Sequence, residues 1–195
     1  MRTSAIALGI AAALASGSAS AWETTLLDTN TPAREQTITS KQLGIKAASP
    51  FSIKVQLLHG GRQEGVMLVT IDTGAMKITV VPNRGMNVAQ AVSGEVRLGW
   101  KSPVREIVNP AFLDQGARNG IGWLEGFNDL LTRCGYEWVG HAGADEDGTM
   151  LTLHGLAANI PASNVILSVD EKPPYTIRLK GLLREQAFKK VDFTI

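Results

Sequence analysis

Residues 51–81 read FSIKVQLLHGGRQEGVMLVTIDTGAMKITVV. Phe51, Ile53, Val55 and Leu57 fall on one side of a two-residue period, with Ser52, Lys54 and Gln56 on the other. That alternation is the mark of a half-buried strand. Gly60-Gly61 then breaks the run, and Gly65–Ile71 follows as a continuous apolar stretch. Asp72-Thr73-Gly74 turns the chain again, after which Met76, Ile78 and Val80 alternate. Apolar runs of this length punctuated by such turns predict antiparallel hairpins.

The same pattern extends toward the C-terminus. Further strands are expected at Val88–Val92, Val96–Trp100, Met150–His154, Val165–Val169, Thr176–Leu183 and Phe188–Ile195, with glycine or proline in nearly every gap. Outside the N-terminal segment no ten-residue window carries a helical apolar stripe. The best helix candidate is Trp123–Leu131, weakened by Gly126. Residues 22–50 are polar and extended, with one helical turn expected at Ser40–Gly44. The expected fold class is all-β, and a large sandwich suits it better than a small barrel.

The N-terminal segment reads as a secretory signal peptide over residues 1–21. Arg2 supplies the positive start, Ala5–Ala15 the apolar stretch, and Ala19-Ser20-Ala21 a small-x-small cleavage pattern. About eleven apolar residues are too few to span a bilayer, which needs about twenty. The alternative is an uncleaved anchor. Cleavage would leave a single domain, residues 22–195, secreted or periplasmic, without a membrane partner. The chain has 19 basic and 18 acidic residues, and losing Arg2 balances them, which argues against a nucleic-acid partner. Cys134 is the single cysteine, so no internal disulfide forms. It reads as a small buried hydrophobe; a catalytic thiol would need a histidine and a base around it. Phe188–Ile195 alternates like a strand up to the last residue, which reads as a truncated chain or as a terminal edge strand.

Functional side chains concentrate in residues 120–162, GIGWLEGFNDLLTRCGYEWVGHAGADEDGTMLTLHGLAANIPA. Loops so rich in glycine are entropically costly to order and commonly build a site. His154, placed before Gly155 at an expected strand end, is the leading candidate for proton transfer or for a hydrogen bond to a sugar oxygen. The plainer alternative is a loop histidine satisfied by the backbone. Arg84, in VPNRGM, could donate several hydrogen bonds to hydroxyls or a carboxylate, or could form a surface ion pair. Arg118 and Arg133 pose the same choice. Trp100, Trp123 and Trp138 could stack on a sugar ring or simply fill the core. Asp145-Glu146-Asp147-Gly148 lacks the alternating ligands of a calcium loop and reads as a solvated turn. The three histidines, at 59, 141 and 154, have no metal-ligand spacing, and no phosphate-binding or serine-hydrolase motif is present.

In their order, Asn83-Arg84-Gly85-Met86-Asn87-Val88, Leu98–Pro103, Gly122–Phe127, Arg133-Cys134-Gly135, Leu153-His154-Gly155 and Asn159-Ile160-Pro161-Ala162 resemble the aldose 1-epimerase-like proteins of the galactose-mutarotase superfamily, in a branch of uncharacterised function. The resemblance covers about residues 50–195. It implies an antiparallel β-supersandwich with a sugar-binding cleft, here cut short, and exchange between the anomers of a free sugar without metal or organic cofactor. It implies His154 as the sugar-contacting catalytic histidine, with Arg84, Arg133, Trp123 and Asn159 as substrate-binding residues. The family's second histidine and catalytic glutamate come later than residue 195. Leu156-Ala157-Ala158 after Gly155 lacks the arginine of hexose-phosphate relatives, implying an unphosphorylated sugar. A sugar-binding module without turnover is the other expectation.

Overall fold

The structure, a computed structural model, describes residues 21–185 and the backbone of 193–194. Residues 1–20 of the expected signal peptide and most of Phe188–Ile195 lie outside the described residues, and Ala21, the last residue of that expected segment, begins β1. The strands are β1 (Ala21–Leu27), β2 (Gln36–Thr39), β3 (Ser52–Leu57), β4 (Met67–Asp72), β5 (Lys77–Val81), β6 (Asn87–Ser93), β7 (Val96–Leu98), β8 (Gly143–Ala144), β9 (Met150–Leu151), β10 (Asn164–Asp170), β11 (Ile177–Leu182), β12 (Arg184–Glu185) and β13 (Phe193–Thr194).

Strands β2 to β7 form a six-stranded antiparallel meander in sequence order. Its register pairs Val55 with Val69 and Val69 with Val80, so branched side chains face one another across the strands. A second sheet has the order β1-β10-β11. Here the start of the described chain pairs with a strand more than a hundred residues later, Trp22 opposite Val169. Two-residue pairs β8–β9 and β12–β13 complete the strands.

The core lies between the two larger sheets. Ile38, Ile53, Val55 and Val69 from one meet Leu26, Val165, Leu167 and Val169 from the other. Burying each of these side chains stabilises the fold by about 1.5–3 kcal/mol. The meander's opposite face carries a smaller cluster, Val66, Val81 and Ala89, packed on by Ile107 of the loop after β7. The chain is therefore an antiparallel sandwich with little helix, and loops gather over the outer face of its larger sheet.

Among the described residues the expected strands other than Met150–His154 form, with somewhat different ends. Three expectations fail. Trp123–Leu131 is not a helix. Only Gly122–Glu125 makes a 3-10 turn. Beyond it, the Leu130 and Leu131 amides bond to the Val88 carbonyl on β6, so the backbone is satisfied by a strand rather than by its own previous turn. Met150–His154 is a strand only through Leu151. Leu153 N–H donates to Gly120 O and His154 N–H to Gly140 O, so loop carbonyls replace a strand partner. Cys134, expected buried, is exposed. Within residues 22–50 the structure adds two strands, β1 and β2, and Leu43 N–H donates to Thr39 O in the turn that follows β2.

Candidate functional site

The site grows from the turn between β5 and β6. The β5–β6 register shifts at Thr79/Val80, a bulge that re-aims the strand just before Pro82. Gly85 and Met86 then both have left-handed backbone, each with φ of 58°. Gly85 has a second constraint: a Cβ there would lie 2.1 Å from the Ala157 carbonyl oxygen. The turn is thereby pressed against residues 157–160, and Gly85 N–H donates to Ile160 O.

This turn directs Arg84 inward. Its side chain is 2% exposed and forms an ion pair with Asp129, 0% exposed, at 2.8 Å. Its other terminal nitrogen donates to Asn128 Oδ1 at 2.9 Å. Burial pushes the Asp129 carboxyl above the usual aspartate value, against the pull of the Arg84 guanidinium and the Asn87 amide. The same burial lowers Arg84, opposed by Asp129. Asn87 joins the pieces: its Nδ2 reaches Asp129 Oδ2, Thr132 Oγ1 and Ala158 O, and its Oδ1 accepts from Arg133 N–H. A buried polar group is tolerated when bonded this fully.

The second wall is made by the loops around His154. His154 itself is left-handed, with φ of 61°. Its carbonyl accepts from Gly135 N–H, and Ala157 N–H donates to Gly135 O. A Cβ on Gly155 would sit 2.3 Å from Trp138 O and 2.8 Å from Gly135 O, so no other residue fits there. The His154 ring lies 5.9 Å from Trp123. Trp123 packs edge-on to Phe127 at 4.7 Å, and Phe127 tilts against Trp100 at 5.2 Å. An aromatic run thus extends from His154 to the outer face of the meander.

Five buried polar atoms here have no hydrogen-bond partner: Arg84 Nε, Asp129 Oδ1, Trp123 Nε1, His154 Nδ1 and Asn159 Oδ1. Each such group costs about 1–3 kcal/mol when left unsatisfied. Two of them belong to the Arg84–Asp129 pair and two to the His154–Trp123 contact. An imidazole there can donate or accept a proton.

The structure brings His154 and Trp123 together. Asn87, which shares Asp129 with Arg84, donates to the carbonyl of Ala158, the residue before Asn159. Asn159 donates to Gln115 Oε1 at 3.3 Å. Arg84 donates to a carboxylate, as one of its two expectations had it, but that carboxylate is Asp129 in the interior; the surface ion pair does not form. Arg133 is held by the same turn: its N–H donates to Asn87 Oδ1 and its Nε to Gly85 O, and it lines a hollow with Met86, Leu179 and Gly181. Trp138 donates to His141 O. Arg118 pairs with Glu125 at the surface. Asp145 Oδ1 accepts from the amides of Asp147 and Thr149, which closes the acidic turn between β8 and β9. Sequence reading missed Asp129, Asn128 and the central role of Asn87. Asp129 sits in an apolar stretch, Phe127–Leu131, where a lone carboxylate needs a cation; that was the available signal.

The family model described as a domain of unknown function, DUF4432, matches residues 63–195, more than half of the chain. Among solved structures, the chain is similar to that of "a putative aldose 1-epimerase" from Klebsiella pneumoniae subsp. pneumoniae MGH 78578. The identity is 45% and the TM-score 0.84, covering 89% of this chain and 45% of that one. The match therefore spans less than half the length of that relative. No curated protein matches. The matched residues include the Arg84 turn and the His154 loops, and the sandwich is the relative's fold: the chain belongs to the DUF4432 family and is aldose 1-epimerase-like.

Proposed function

We propose that this chain forms part of an exported protein that binds an unphosphorylated free sugar and exchanges its anomers. The observation that carries the reading is the 45% identity, over 89% of this chain, to a structure described as "a putative aldose 1-epimerase". Anomer exchange needs a base to take the proton from the anomeric hydroxyl and an acid to protonate the ring oxygen. The bond between the anomeric carbon and the ring oxygen then breaks, giving the open-chain aldehyde, and closure on the other face gives the second anomer.

His154 is assigned the proton exchanged at the ring oxygen, held by backbone bonds on both sides of its left-handed turn. Trp123 offers a ring beside it, and Asn159 an acceptor oxygen without a partner. Arg84 acts through Asp129, Asn128 and Asn87 as a positioning residue. The family resemblance assigns the base to a glutamate beyond residue 195. Export rests on Ala5–Ala15 and the Ala19-Ser20-Ala21 pattern. The aromatic run from His154 to Trp100 equally suits the second reading, a module that holds sugar without turnover.

The test is two-dimensional exchange NMR on free aldoses with the full-length protein. Acceleration above buffer is expected, and His154→Ala should reduce it by about a hundredfold or more while the melting transition is kept. Sugar-induced shifts without acceleration would select the binding module. No shift with any aldose, or equal loss of folding and binding in His154→Ala, would overturn the assignment.

A further inference from the structure

A groove of about 420 Å³ opens on the outer face of the six-stranded sheet. That is within the usual size of small-ligand clefts, about 300–1,000 Å³. Its floor is polar: Gln56 on β3, Thr70 on β4, Thr79 on β5 and Gln90 on β6. Thr70 and Thr79 share a hydroxyl bond at 3.1 Å, which leaves each oxygen capacity for another partner. Leu68 and Ala89 add apolar patches between these groups. A floor of hydroxyls and amides interleaved with C–H surface matches the two-sided character of a sugar ring.

The groove's wall is the loop that follows β7. Trp100, 42% exposed, stands on it and is backed by Phe127. The loop is held in place rather than free. Ser102 Oγ donates to Phe127 O at 2.8 Å, and Asn128 Nδ2 donates to Val104 O and Glu106 O. Asn128 Oδ1 accepts from Arg84, so the wall is anchored to the buried ion pair.

The charge is one-sided. Arg97, Lys101 and Arg105 line the groove, and no carboxylate does. Among the described residues none of the three makes an ion pair, which is also true of cations such as Lys54 and Arg133; what sets the three apart is that they converge on one groove. Arg97 Nε donates to Gln90 Oε1 at 3.1 Å, which orients its guanidinium and leaves both terminal nitrogens unpartnered. In a chain whose overall charge is nearly balanced, three cations and no carboxylate gather around one polar groove. Guanidinium groups recognise planar carboxylates and sulfate oxygens by paired hydrogen bonds.

We propose that this groove is a binding site for an anionic saccharide unit, a uronate or a sulfated sugar, with the ring on Trp100 and the acid group among Arg97, Lys101 and Arg105. It is separate from the His154 loops and stands whether or not those loops exchange anomers.

The test is calorimetry and indole N–H NMR shifts at low ionic strength with a galacturonic acid trimer, a sulfated galactose trimer and the neutral galactose trimer. The acidic trimers, or one of them, should bind and shift the Trp100 indole. Which of the two binds identifies the acid group. Arg97→Ala with Arg105→Ala should weaken that binding by about tenfold or more, as should Trp100→Ala, while His154→Ala should leave it unchanged. Raised salt should weaken it further. Equal affinity for the neutral trimer, no binding of either acidic trimer, or indifference to the arginine changes would overturn the proposal. So would displacement by inorganic sulfate at equal concentration, or tighter binding of a single-stranded oligonucleotide.

Discussion

In the sandwich, Ile53, Val55, Val69 and Leu167 are buried by side chains that alternate along regular strands. In residues 120–162, order has another source. Gly135, Gly140 and Gly120 receive or supply long-range backbone bonds, and Gly85 and Gly155 let carbonyls approach where no Cβ could stand. The polar groups behind these loops, Arg84, Asp129 and Asn87, are buried as deeply as the valines of the core. Apolar burial is non-directional and forgiving of exchange among similar side chains. Backbone bonds and a buried ion pair fix positions, and each tolerates little change. The difference places adaptable packing in the frame and exacting geometry in the candidate site.

The most severe way to break this contrast is to remove one member of the buried pair. Arg84→Met leaves the Asp129 carboxylate in the interior without its cation, and should cost about 3–5 kcal/mol in denaturant unfolding. Arg84→Met combined with Asp129→Leu removes both charges and should recover most of that loss, since a paired apolar replacement avoids the desolvation of either ion. If the single variant costs no more than the double, the ion pair is not what organises the turn, and the site region is packed like the frame.

A pair of glycines sharpens the same comparison at lower energy. Gly85 and Gly94 have nearly identical backbone, φ of 58° and 57°. A Cβ at Gly94, in the turn between β6 and β7, meets nothing within 4 Å, whereas at Gly85 it meets the Ala157 carbonyl. Gly94→Ala should therefore cost only the left-handed penalty, about 1–2 kcal/mol. Gly85→Ala carries that cost and the collision with backbone, and should exceed it clearly in the same unfolding measurement. Equal costs would show that conformation alone, rather than close approach, explains the glycine at 85.

These contrasts also explain what could be read from sequence. Phe51–Val81 was legible because a period of two records which face is wet, and the strands formed where the alternation lay. The same reasoning failed at Met150–His154, where apolar alternation continues but the amides of Leu153 and His154 go to glycine carbonyls far away in the chain. It failed again at Trp123–Leu131, whose Leu130 and Leu131 are held by Val88. Periodicity carries no information about such partners. His154 and Trp123 could be named as neighbours of glycine, and the structure sets their rings together. Arg84 was found, but its partner was not, because forty-five residues separate it from Asp129. Cys134 misled for the opposite reason: residue type suggests burial, while its place in an irregular surface loop decides exposure.

The smallest expected effect separates the two regions by the sign of a pH slope. Asp170, at the exposed end of β10, is held below the usual aspartate value by its hydrogen bonds from Arg178. Its contribution to stability is present above the unfolded pKa and is lost as pH falls through the lower folded value. Asp129 is raised instead, chiefly by burial. Its proton is bound more tightly in the folded chain, so its contribution is full below the unfolded pKa and declines as pH rises through the higher folded value. Unfolding free energy measured against pH for Asp170→Asn and Asp129→Asn, each subtracted from wild type, should therefore give slopes of opposite sign on either side of the ordinary aspartate pKa. A rising difference for Asp129 would mean that the Arg84 guanidinium outweighs desolvation. The buried pair would then stabilise the turn through its charge, and the site region would share the electrostatics of the exposed strand ends.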